Sequence, residues 1–105
     1  MVSPLADLQR TLDHAPAISI ICAERVDWGM HAASACVAAG FQAMAVGAQT
    51  PQATQIIASL VARPDMVIGL CRALTRDHVV EAHEAGASFI MSPTVALEVG
   101  AAARE

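Results

Sequence analysis

The 105-residue chain contains no lysine, and all six of its basic residues are arginine. A side-chain iminium needs a primary amine that can lose its proton. Guanidinium stays protonated in practice, so Schiff-base chemistry finds no side chain to run on. Tyrosine is absent too, and the aromatics reduce to Trp28, Phe41 and Phe89, so the core must be built from Ala, Val, Ile, Leu and Met. Charged residues make up only 15% against 55% hydrophobic, which excludes disorder and points to surface that needs a partner. A formal charge of −4 provides no positive field to neutralise phosphates, so nucleic acid is not an expected partner. No apolar run approaches the ~20 residues of a membrane span, and "MVSPLADLQR" lacks the basic-then-apolar layout of a secretion signal, so the chain reads as cytoplasmic with no membrane partner. The three cysteines, Cys22, Cys36 and Cys71, form no C-x-x-C pair, and their odd number argues against a disulfide framework. They read as buried, reduced thiols.

What is present is a regular alternation. "SPLADLQRTLDHA" opens with Ser3-Pro4 and places Leu5, Leu8 and Leu12 at helical spacing. "AISIICA" (17–23) is an apolar run of strand length, and "VDWGMHAASACVAAG" follows as a helix capped by Asp27 and ended by Gly40. "FQAMAVG" (41–47) is the second strand. "TPQATQIIASLVAR" is a helix with Thr50 as N-cap, Pro51 in first position, and Ala53, Ile56, Ile57, Leu60 and Val61 on one face. "DMVIGLC" (65–71) is the third strand, "TRDHVVEAHEAGA" a helix capped by Thr75 and closed near Gly86, "SFIMS" (88–92) the fourth strand, and "PTVALEVGAAARE" a last helix starting at Pro93.

The strands begin near Ala17, Phe41, Asp65 and Ser88, a period of 24, 24 and 23 residues. That is an internal repeat of one βα unit with no linker, hence a single domain over 1–105. Apolar strands joined by helices imply an α/β fold with a parallel sheet and right-handed crossovers. Four units and a leading helix make half of a (βα)8 TIM barrel, or a small open doubly wound sheet. A domain of this size buries roughly 65% of its unfolded surface.

The sequence also resembles a known family. "HAPAISII", "AAGFQAMAVGAQT", "MVIGLCRAL" and above all "EAGASFIMSP" are similar to the N-terminal half of the 2-keto-3-deoxy-6-phosphogluconate and 4-hydroxy-2-oxoglutarate aldolases, class I lyases on a TIM barrel. The likeness covers nearly all of the chain and about half of a family member. It implies a catalytic lysine that forms a Schiff base with pyruvate, a glutamate that shuttles protons, and an arginine and a threonine that hold substrate. The glutamate position falls on Ala45, the arginine on Gln49 and the threonine on Arg72. The lysine and the glycine-rich phosphate loops belong to the family's second half. With no lysine here, class I aldolase chemistry is excluded for this chain alone; the α-amino group of Met1 precedes the wrong helix.

Other chemistry would gather at the C-terminal ends of the strands. Arg25, Gln49, Thr50, Arg72 and Ser92 are the candidate ligand-binding residues, with Arg25 and Arg72 beside the helix starts at Thr50, Thr75 and Pro93 suited to a small carboxylate or phosphorylated ligand. The structural alternative is a rim salt bridge between Arg72 and Glu24, worth at most about 1 kcal/mol. Glu24 as a relocated base has no diagnostic partner. Cys22 and Cys71, on strands one and three, fall roughly 9–10 Å apart with strand two between them, too far for a disulfide. His78, Glu81 and His83 lack the i, i+4 spacing of a zinc helix, so neither metal nor cofactor is expected. Met30, Met44, Met66 and Met91 read as core filler.

A four-unit half barrel has two open edges and an inner face that would normally meet its other half. Covering ~600 Å² per chain at ~25 cal/mol/Å² contributes on the order of 15 kcal/mol before association costs. A homodimer or higher homo-oligomer is therefore expected, either closing one eight-stranded barrel or packing two open sheets face to face. The functional readings are a non-catalytic scaffold or anion binder, a lyase with relocated or metal-dependent residues or one completed by a partner subunit, and a truncated half of a longer product.

Overall fold

The computed structural model describes residues 4–14, 17–92 and 97–104. In chain order it contains α1 (Pro4–His14), β1 (Ser19–Ile21), α2 (Val26–Ala38), β2 (Ala43–Gly47), α3 (Ala53–Val61), β3 (Val67–Cys71), α4 (Arg76–Ala85), β4 (Phe89–Ile90) and α5 (Leu97–Arg104). The four strands form one parallel sheet in the order β1-β2-β3-β4, so each βα unit adds a strand beside the last. The expected α/β architecture with a leading helix is the one observed. Strand ends are shorter than the apolar runs: β1 covers only part of 17–23, and β4 only part of 88–92. At β3 the trimming has a visible cause, since Asp65 turns with a φ of +63° before the ladder begins at Val67.

Alternation along the strands splits the sheet into two faces. Ile21, Met44, Val46, Ile68 and Leu70 point toward α2–α4 and join Ile56, Ile57, Leu60, Val79 and Ala82 in the main core. The other face, which a full barrel would enclose, is lined by small residues: Ala43, Ala45, Gly47, Gly69 and Cys71. Its middle is already covered. Ala43, Ala45, Val67 and Cys71 are buried, and the Phe89 ring folds back from β4 across Gly69, where a Cβ would meet it at 2.5 Å. At the edge Ile20 is 55% exposed. The apolar surface expected across this whole face is thus concentrated at its β1 side. α1 packs across the N-terminal ends of β2 and β3, beside a cavity of about 450 Å³ between Arg10, His14, Gln42 and Asp65.

Helix ends follow local chemistry, with two departures from expectation. Gly40 (φ +94°) and Gly86 (φ +101°) close α2 and α4, and the bonds from Gly40 N to Val37 O and from Phe41 N to Cys36 O satisfy carbonyls of the last turn of α2. Thr75 caps α4, its hydroxyl accepting from His78 N at 3.2 Å, while His78 Nδ1 accepts from Leu74 N at 3.1 Å. Asp27 does not cap α2. Arg25 occupies that position, and the carboxylate of Asp27, in the first turn, is held by the Arg25 guanidinium. Thr50 does not cap α3 either: the helix starts at Ala53 after Gln52, which takes a left-handed φ of +55°. Thr50 is 5% exposed and turned inward. Of the four core methionines expected, Met44 is fully buried whereas Met30 is exposed. No described helix is long and apolar enough to cross a membrane. The last helix's start at Pro93 lies outside the described residues.

Candidate functional site

At the C-terminal ends of β1–β3 lies an open cleft of about 750 Å³. Its floor is the end of β2. Gly47 closes the strand, and Thr50 N bonds back to Gly47 O at 3.0 Å, turning the chain so that Gln49 and Thr50 face the cleft. Thr50 Oγ1 then accepts from Ala23 N at 3.4 Å, tying the segment after β1 to the turn after β2. The hydroxyl expected to cap a helix instead fastens two strand ends together. Gly29 makes this possible from above, because any side chain there would strike Ile56 Cδ1 at 2.8 Å and Thr50 Cγ2 at 3.3 Å.

Arg72 follows β3 with a φ of +58°, uncommon for a residue with a Cβ. Its carbonyl accepts from Gln49 Nε2 at 3.2 Å, and the residue lines the cleft together with Glu24 and Trp28. Three expected ligand residues, Gln49, Thr50 and Arg72, therefore share one cleft. Arg25 does not line it. Its Nε and Nη2 donate to the two Asp27 carboxylate oxygens at 3.1 Å, and its Cζ sits 5.2 Å from the Trp28 ring centroid. Ser92 is also elsewhere: its Oγ donates to Ala73 O at 3.0 Å, fastening the end of β4 to the segment after β3. The ion pair at this rim is Arg25–Asp27, rather than the expected Arg72–Glu24. Of the three helix starts invoked for an anion, Thr75 already satisfies His78 N, Thr50 is not a helix start, and Pro93 is not described.

Two features escaped sequence reasoning. Trp28, 52% exposed, forms a wall of the cleft. A lone tryptophan in the first turn of the helix that follows β1 was the available signal. The second is Gly47, which stands in a row between Cys22 and Cys71. Ile21 pairs with Val46, so Cys22 follows beside Gly47, which pairs with Cys71. Cys22 Sγ lies 2.8 Å from where a Gly47 Cβ would stand. Burial pushes the Cys71 thiol up to about 11, helped by the neighbouring Cys22 thiol. Cys22 itself is exposed, contrary to the buried thiol expected, and Cys36 is half-buried. Ala45, where the resemblance places a proton-shuttling glutamate, is fully buried and brings only a methyl group.

A sequence profile of the family described as KDPG and KHG aldolase matches residues 8–105. No curated protein sequence matches significantly. Among solved structures, the 2-keto-3-deoxy-6-phosphogluconate aldolase of Zymomonas mobilis ZM4, crystallised with 3-phosphoglycerate, superposes with a TM-score of 0.77 at 28% identity, over 93% of this chain and 47% of that one. The corresponding aldolase of Zymomonas mobilis ATCC 29191 gives 0.76 at 28% identity, over 93% and 48%. A 4-hydroxy-2-oxoglutarate aldolase/2-deydro-3-deoxyphosphogluconate aldolase from TTHB1 shares the fold at 0.69 and 21% identity, over 99% and 50%. The chain spans about half the length of these solved relatives.

Proposed function

Because the chain belongs to the KDPG and KHG aldolase family, we propose that it is an aldolase-like half barrel without class I activity of its own, a homodimeric scaffold that binds a small keto acid or phosphorylated acid at the cleft. The observation that carries this reading is the chemistry the chain lacks. No lysine is present to form the iminium, and the position of the family's glutamate is the buried methyl of Ala45. What the cleft retains suits recognition. Arg72 offers a planar fork for a carboxylate or phosphate, and its carbonyl is anchored by Gln49. Trp28 provides an apolar wall.

Thermal unfolding with and without pyruvate, 2-oxoglutarate or inorganic phosphate tests the binding role. A ligand at 100 times its Kd adds about 2.7 kcal/mol, a rise on the order of 10 °C for a domain of this size. Arg72→Ala should abolish the rise while keeping the Gln49 bond, which uses only the Arg72 carbonyl. No rise with any of the three anions would leave the scaffold role alone. Mass measured across a dilution series tests the homodimer, and a folded monomer at micromolar concentration overturns it.

A second reading draws on the half-length match to the solved aldolases: a lyase completed by a partner subunit that supplies the lysine half, or one using relocated or metal-dependent residues. Pyruvate release from hydroxy-keto acids, assayed with and without divalent metal and with candidate partner subunits, separates it from the first.

A further inference from the structure

The row Cys22–Gly47–Cys71 has no part in anion recognition, yet its geometry is specific. β2 and β3 bring Gly47 and Cys71 to the same level, and Cys22, directly after the end of β1, falls beside them, so the middle position is glycine. The missing side chain leaves a gap into which Cys22 Sγ reaches, 2.8 Å from the position a Cβ would take. Cys71, the register partner of Gly47, lies on the far side of that gap with its side chain on the same face of the sheet.

A disulfide does not account for the pair. Two strand spacings separate the backbones by roughly 9–10 Å, beyond the 4.4–6.8 Å between Cα atoms that a disulfide requires. A bridging atom between the sulfurs resolves the mismatch. Among the described residues no group of three or more His, Cys, Asp and Glu comes together, so a four-coordinate ion such as zinc lacks its ligands. Thiolates select soft ions, and a two-coordinate soft ion needs only two sulfurs.

We propose that Cys22 and Cys71 form a two-thiolate site for a soft monovalent cation of the copper(I) class, held across Gly47 at the floor of the cleft. Binding converts two thiols and one cation into a bis-thiolate complex with two sulfur–metal bonds. Both protons go to solvent, and the metal keeps its oxidation state. The complex carries one net negative charge, and Arg72, next in sequence to Cys71, lines the same cleft as Cys22. Entry is from the cleft, because Cys22 is exposed and lines it while Cys71 is buried behind.

The test is an anaerobic titration of the reduced full chain with copper(I) in competition with bicinchoninate. One ion per chain is expected, retained in Cys36→Ser. Cys22→Ser and Cys71→Ser should each weaken binding more than about 100-fold, beyond the usual effect of losing an outer-shell partner. Gly47→Ala should weaken it as well, since its methyl takes the space of the Cys22 sulfur. Circular dichroism establishes that each variant is folded. Should a variant fail to fold, alkylation of the wild-type chain decides. Cys22 should be modified without metal and protected by one equivalent of copper(I), with Cys36 modified in both. Unchanged affinity in folded Cys22→Ser or Cys71→Ser, protection falling on Cys36, or half an ion per chain would overturn the proposal.

Discussion

Replacing Gly29 by alanine asks how tightly α2 is seated over the cleft. Two effects oppose each other. A glycine inside a helix costs about 1 kcal/mol relative to alanine, so propensity alone makes the change stabilising. The new methyl, however, would lie 2.8 Å from Ile56 Cδ1 and 3.3 Å from Thr50 Cγ2. Ile56 is fully buried and Thr50 nearly so, leaving neither room to retreat. Overpacking of this kind costs about 1–3 kcal/mol, so the net loss is roughly 0–2 kcal/mol. The sharper measurement is a double-mutant cycle. Ile56→Val alone should cost about 0.5–1.5 kcal/mol. It also removes Cδ1, so in the Gly29→Ala background it relieves the main clash and the double variant should be about 1–2 kcal/mol more stable than the sum of the singles. Urea unfolding reads this directly, with each kcal/mol moving the midpoint by roughly 0.5–1 M at unchanged slope. Additivity within about 0.5 kcal/mol would refute the close approach of α2 to α3.

Ala45→Glu should cost about 3 kcal/mol or more, because it overfills a fully buried position and buries a carboxyl group, and it should restore no pyruvate-forming activity. Burial raises that carboxyl's folded pKa above its unfolded value. The variant should therefore lose stability relative to Ala45→Gln as pH rises from 4 to 7, and a constant difference would show that position 45 is open to water. The Cys71 thiol is raised from 9.0 to about 11, so the stability it contributes is complete below pH 9 and disappears as pH rises through 11. Unfolding followed from pH 8 to 11 should show a loss on the order of 2 kcal/mol that Cys71→Ser does not show. Thr75→Ala removes the cap on His78 N and should lower the unfolding free energy by about 1 kcal/mol, with the loss recovered mostly by Thr75→Ser or Thr75→Asp.

Elements whose signals were local and uncontested could be read from the sequence. β2 and β3 stand where apolar runs of strand length placed them, and Thr75, Gly40 and Gly86 act as the helix boundaries their chemistry suggests. Thr50 and Asp27 looked equally like caps and are not, because distant or neighbouring partners compete for the same oxygen atoms. Ala23 N claims the Thr50 hydroxyl from 27 residues away, and the Arg25 guanidinium claims the Asp27 carboxylate. Gln49 and Arg72 were identified as cleft residues, whereas the withdrawal of Arg25 depends on Trp28 and Asp27 standing beside it, a side-chain arrangement that periodicity does not encode. The cysteine row was within reach. Positions 22, 47 and 71 recur at nearly the βα period, and a glycine between two thiols at equivalent positions marks the gap they share.

The sheet ends in short strands, three residues at β1 and two at β4. A newcomer aligning with either border meets few amide and carbonyl groups, so ladder formation alone gives it little reason to stay or to choose one alignment over another. Discrimination must come from knobs and hollows: the protruding Ile20 on one flank and the inward-folded Phe89 on the other. Such borders resist indiscriminate fibre growth while remaining able to accept a surface shaped to fit them.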